Sequence, residues 1–131
     1  MPTGRVAVPD ALRAGGRAWG IAAVLAALLI GVVSVLPPRG TPGMEIADLG
    51  EFRATIGHAL AYAGLGAVAV FAQRRPRLGL TLAMVIGYGV ALEGLQGGIG
   101  LRSFQWTDIA ANSLGALTGV AVAARVGRSL P

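Results

Sequence analysis

Residues Ala91–Gly119 read ALEGLQGGIGLRSFQWTDIAANSLGALTG. Both ends of this stretch are apolar and rich in small residues, as membrane helices are. Its middle nevertheless holds two carboxylates, two amides and a guanidinium, namely Glu93, Gln96, Arg102, Asp108 and Asn112. The pattern predicts two membrane helices joined by a short loop, with polar groups collected where each helix meets that loop.

The composition supports a membrane protein. The chain has 131 residues, of which 54% are hydrophobic and 13% are charged, whereas soluble domains average about 25% charged residues. The absence of cysteine excludes a disulfide framework and a cysteine-based metal site. The basic residues are all arginine and mostly lie between apolar runs, which is typical of a topology signal rather than of a nucleic-acid surface. We expect no nucleic-acid partner.

Four apolar runs each approach the roughly 20 residues that a helix needs to cross a hydrocarbon core of about 30 Å. They predict helices at about 18–36, 54–73, 78–97 and 107–126. None alternates with the period of two that a barrel strand needs. The first run lacks a small-residue cleavage site, which favours an uncleaved helix over a signal peptide. We therefore predict an all-α integral membrane protein, a compact four-transmembrane-helix bundle that forms a single domain over residues 1–131.

The arginines predict the orientation. Eight of the eleven lie in the two terminal tails and the second loop, and three lie in the first and third loops. By the positive-inside rule both termini are cytoplasmic, and the loops Pro37–Arg53 and Gly98–Trp106 are outside. Residues 44–52 within the first loop fit either a short interfacial helix or a mobile loop.

This orientation brings polar residues from three helices to one depth, near the outer face. Residues three or four positions apart share one face of a helix, and the polar residues have this spacing on each helix. We predict that a single pocket is lined by His58, Tyr62, Glu93, Gln96, Arg102, Asp108 and Asn112. Gly115 and Gly119 continue the face of Asp108 and Asn112 and predict a close helix–helix contact below the pocket.

These motifs resemble the VanZ-like membrane proteins. The resemblance covers about Ile56–Gly119. In chain order it consists of His-x-x-x-Tyr-x-x-Leu-Gly, Glu-x-x-Gln, a short loop with arginine, and Asp-x-x-x-Asn-x-x-Gly-x-x-x-Gly. It implies a polytopic protein of the bacterial cell membrane and cell envelope, and the family's namesake is linked to resistance to the antibiotic teicoplanin. The family often has Asp-Lys shortly before the histidine, where this chain has Ala54 and Thr55.

Each polar residue also has a simpler interpretation. Glu93 fits a carboxylate at headgroup depth, and Asp108 fits an N-cap. Gln96 and Asn112 fit interhelical hydrogen bonds. Their common depth favours a functional pocket, in which Arg102 or His58 would partner the carboxylates Glu93 and Asp108.

Three functions stay open at this point. The pocket could bind an amphiphile, namely a lipid headgroup, a lipid-linked envelope precursor or a lipoglycopeptide, with Arg102 holding an anionic group. It could instead be the site of an outer-leaflet enzyme, with His58 and Glu93 or Asp108 as acid and base. The polar residues could also be structural in a small partner of a larger membrane complex. One histidine and two spaced carboxylates are a weak metal-ligand set, so we expect no metal and no cofactor.

The topology is testable because the chain has no cysteine of its own. A cysteine that replaces Gly43 should react with a membrane-impermeant thiol reagent on intact cells, and one that replaces Gln73 should not. Thiol labelling before and after permeabilisation measures both. The reverse pattern would invert the topology and place the polar residues on the cytoplasmic side.

Overall fold

The computed structural model describes residues 16–35, 47–100 and 104–129. Within them the chain forms four α-helices, α1 (Gly16–Val35), α2 (Ala47–Phe71), α3 (Leu78–Gly98) and α4 (Trp106–Ser129). Each is long and apolar enough to cross a membrane. The protein is thus an all-α, multi-pass membrane protein, as its composition predicts.

The helix bounds differ from the predicted ones mainly at α2. The ends of α1 and α3 lie within one or two residues of the predicted ends, while α2 begins at Ala47 instead of about residue 54. Residues 47–52 therefore form the first turns of α2 rather than a separate interfacial helix or a loop, and residues 44–46 lie outside the described ranges. The apolar span begins only at Phe52. The hydropathy pattern marks this span, whereas the helix continues beyond it because no proline interrupts Ala47–Arg53.

The closest helix pair is α2 with α4. A Cβ atom built on Gly115 would lie 2.1 Å from the carbonyl oxygen of Ala59, and one built on Gly119 would lie 1.9 Å from that of Ala63. Real side chains cannot approach a backbone so closely, so only glycine fits at either position. The two backbones are in direct contact, which maximises van der Waals attraction where lipid gives no hydrophobic drive for association.

Helix α3 lies across α2 and α4. Its buried residues are Thr81, Val85, Gly89, Glu93 and Gln96. These follow one another at steps of four and three, so they form a single stripe along the helix. Val85 packs with Tyr62, Leu65 and Ala116 in the apolar core. The stripe becomes polar toward the α3–α4 loop, which gives the bundle a polar end above an apolar middle.

Helix α1 packs more loosely. It has no buried residue, and its large aliphatic side chains, such as Leu25, Leu29 and Val33, are more than half exposed, as a lipid-facing surface would be. Its inner face is held by a hydrogen bond from the Tyr88 hydroxyl to the carbonyl oxygen of Ala27. The face of α1 toward the bundle carries Ala26, Ala27 and Ile30, which pack against the core.

Substitution of either seam glycine tests the contact between α2 and α4. Gly115→Leu and Gly119→Leu should each lower the free energy of unfolding by about 3 kcal/mol, the upper end of the range typical of overpacking. The loss is large because the new side chain meets backbone atoms that cannot rotate away. Thermal unfolding in detergent measures the loss.

Gly64→Leu is the matched control, since Gly64 lies on α2 with no atom within 4 Å of a built Cβ. It should unfold close to the wild-type temperature. Equal melting of all three variants would mean that α2 and α4 do not meet at these glycines.

Candidate functional site

His58 lies at the centre of the polar end. Its Nδ1 is 3.0 Å from Oδ1 of Asn112, and its Nε2 is 3.8 Å from Oδ2 of Asp108. Both ring nitrogens of this α2 residue therefore face oxygen atoms of α4. With the amide oriented in this way, Nδ1–H donates to the oxygen of Asn112. The His58 side chain is 20% exposed, so the ring can be reached from outside the bundle.

Asp108 and Asn112 lie on the α4 side of the His58 ring. They are only 1% and 3% exposed, and their spacing of four residues places them one above the other on α4. Asp108 is in the first turn of that helix, where the positive end of the helix dipole favours a negative charge. At 3.8 Å the Asp108 carboxylate and the His58 ring are close neighbours but too far apart for a hydrogen bond.

Tyr62 lies one turn deeper than His58 on α2 and meets the other helices at Gly89. A Cβ atom on Gly89 would lie 3.0 Å from Cε1 of Tyr62 and 3.2 Å from Nδ2 of Asn112. The missing side chain on α3 thus leaves room for groups of α2 and α4 to meet there. Gly89 does not stand out in the sequence, although its position four residues before Glu93 places it on the same face of α3.

Glu93 is directed to the start of α4. It is 2% exposed, and its Oε1 accepts a hydrogen bond of 2.8 Å from the backbone N–H of Gln105, the residue that immediately precedes α4. The described partner of Glu93 is thus a backbone group and not His58, which the sequence predicts as one of its two candidate partners.

Gln96 is directed to the end of α1. It is 5% exposed, and its Nε2 donates a hydrogen bond to the carbonyl oxygen of Ser34, in the last turn of α1. Glu93 and Gln96 thus lie on one face of α3 but bond to the backbone of two different segments, one directly before α4 and one in α1.

The predicted site residues therefore fall into two groups. His58, Tyr62, Asp108 and Asn112 form one cluster, which we call the histidine cluster. Glu93 and Gln96 lie on α3 and bond to the backbone beside α4 and in α1. Arg102 lies outside the described residues. Among the residues that the structure describes, no group of three or more histidine, cysteine or acidic side chains could hold a metal ion.

Comparison with known proteins gives a family match. No curated protein and no solved structure matches the chain. The family model described as VanZ/LLP1 matches residues 25–127. That range includes the histidine cluster, Glu93 and Gln96, and it extends over most of the chain. On this evidence the chain is a multi-pass membrane protein that belongs to the VanZ/LLP1 family.

Proposed function

We propose that the histidine cluster binds the polar part of a membrane amphiphile. One observation carries the proposal: a partly exposed histidine has a carboxylate and an amide buried directly behind it. The ring is the accessible group: Asn112 holds Nδ1 by a hydrogen bond, and Asp108 faces Nε2 from 3.8 Å. Because Nε2 lies 3.8 Å from Asp108 without a hydrogen bond, it is the ring nitrogen that can exchange a hydrogen bond with a ligand that approaches from the membrane surface.

The energetics support a functional role for the cluster. An ionisable side chain in a membrane helix is costly, by about 2.5–3.5 kcal/mol at the centre of the bilayer on insertion scales and by less near the interface. Interhelical polar contacts recover only about 0.6 kcal/mol each on average. A ligand that engages the cluster would offset part of the cost of burying the carboxylate.

The ligand class follows from position and chemistry. The cluster lies toward the end of the bundle that the arginine pattern assigns to the outer face, with His58 and Asp108 within two turns of the ends of their apolar spans at Phe52 and Trp106. The candidates are a lipid headgroup, a lipid-linked envelope precursor and a lipoglycopeptide, all of which join a polar group to an apolar chain. Arg102 follows α3 in the sequence and would supply a planar donor pair for phosphate or carboxylate. Binding of the last two candidates would connect the protein with teicoplanin resistance.

A second candidate function is an outer-leaflet enzyme, and the contact between His58 and Asp108 favours it. A histidine beside a buried carboxylate is suited to move a proton to or from a substrate. A separation of 3.8 Å is loose for such a pair, but catalytic hydrogen bonds often shorten when substrate binds. In this version Asp108 orients the histidine, because the described hydrogen bond of Glu93 goes to Gln105 instead.

The third function is that of a structural partner in a larger complex. In that case the histidine cluster would only join helices and would bind no ligand. This function differs from the other two in a measurable way, because removal of a purely structural group lowers stability and any activity together. A group that contacts a ligand can lose binding while the bundle keeps its stability.

Retention of copurified lipid tests the binding site. His58→Ala and Asp108→Asn should each lower the amount of bound amphiphile by about tenfold or more, equivalent to at least ~1.4 kcal/mol of binding, with little change in unfolding temperature. Because the two residues act together, the double variant should lose far less than the sum of the single losses. Native mass spectrometry of the gently purified protein measures retention.

Thr118→Ala is the control, since Thr118 is exposed on α4 and bonds to the backbone of its own helix. It should retain the wild-type amount of lipid. If His58→Ala and Asp108→Asn instead lost stability and retention in parallel and additively, the structural function would replace the proposed one. An enzyme would show another pattern, in which His58→Ala still holds substrate but no longer converts it.

A further inference from the structure

We infer that Glu93 and Gln96 are positioning residues that fix two helix ends around the histidine cluster and do not themselves touch the ligand. We call this pair of contacts the helix-end clamp. The inference gives these two residues a role different from the ligand contact that the sequence predicts. It rests on the proposed function only in that the cluster being positioned is the proposed binding site.

The first half of the clamp is at the start of α4. The first N–H groups of a helix have no partner within the helix. The carboxylate of Glu93 accepts from the N–H of Gln105, directly before the first residue of α4. A carboxylate at this end of a helix also interacts favourably with the helix dipole.

The second half is at the end of α1. The last carbonyl groups of a helix have no partner within the helix either, and they carry partial negative charge. The Gln96 amide donates to the carbonyl oxygen of Ser34, one residue before the last residue of α1. Since α1 has no buried residue, a contact of this kind matters more to it than it would to a well-packed helix.

The chemistry of the two side chains matches the polarity of the two helix ends. An acceptor with negative charge faces the positive end of α4, and an amide donor faces the negative end of α1. A spacing of three residues places both side chains on one face of α3. A carboxylate at position 96 would face the carbonyl oxygen of Ser34 and be repelled by it. The Glu-x-x-Gln order is therefore the one that fits these two ends.

The clamp determines the geometry of the histidine cluster through α4. Asp108 follows Gln105 by three residues, so a shift of the start of α4 moves the carboxylate relative to His58. Both Glu93 and Gln96 are buried, and each bonds to a backbone group of a neighbouring segment. Glu93 and Gln96 are therefore occupied by backbone partners. Among the described site residues, the ring of His58 is the partly exposed side chain.

Spin-label distances test the two halves separately in the full chain, which has no cysteine of its own. Labels at Val33 and Leu95 report on α1 relative to α3, and labels at Leu95 and Ala110 report on α4 relative to α3; all three positions are exposed. Gln96→Met should broaden only the first distance distribution. Glu93→Ala should broaden only the second. Gly94→Ala is the control and should change neither, because a Cβ on Gly94 meets no atom within 4 Å.

His58 is the only histidine in the chain, so ¹⁵N-histidine labelling gives the NMR signals of one ring. Glu93→Ala should shift these ring signals, because Asp108 moves with the start of α4. Gln96→Met should leave them at the wild-type positions. Glu93→Gln retains an acceptor of the same shape, so it should restore both the α3–α4 distance distribution and the ring signals.

The inference is overturned if folded Glu93→Ala keeps the wild-type α3–α4 distances, or if Glu93→Ala and Gln96→Met broaden both distributions alike. If Glu93→Ala does not fold, Glu93→Gln and Gln96→Met still decide, since failure of either to give its expected pattern contradicts the clamp. None of these measurements needs a ligand, so they can succeed even if lipid retention shows no binding site. Loss of copurified lipid by Glu93→Gln, with unchanged distances, would mean that the carboxylate contacts the ligand.

Discussion

The direct backbone contact between α2 and α4 is the constraint on which the polar end depends. Gly115 and Gly119 allow α4 to touch the carbonyl groups of Ala59 and Ala63. His58 and Tyr62 immediately precede these two alanines, so the register of the seam also determines where both side chains meet α4. Asn112 lies one turn before Gly115 and therefore faces His58. A packing constraint between small residues thus sets a polar contact one turn away.

Much of this arrangement follows from the sequence, because helix length and helix phase are encoded in side chains. The apolar runs predict four spanning helices, and the spacing of Asp108 and Asn112 predicts their shared face. The start of α2 could not be predicted from the sequence, since hydropathy indicates where the membrane-spanning part begins and not where the helix begins. The bond from Glu93 to Gln105 could not be predicted either, because its donor is a backbone N–H that any residue except proline would provide. The assignment of the site residues to a ligand stays a prediction.

The two buried carboxylates differ in what they face. Glu93 bonds to a backbone N–H directly before α4. This backbone group is fixed by the fold and cannot turn toward a ligand. Asp108 faces the side chain of His58, whose ring is partly exposed and has rotatable bonds. A ligand that engages His58 would alter the contact with Asp108 directly, whereas it would reach Glu93 only through movement of α4. Two carboxylates near the start of the same helix are therefore suited to different tasks, one to respond to the ligand and the other to hold the helix in place.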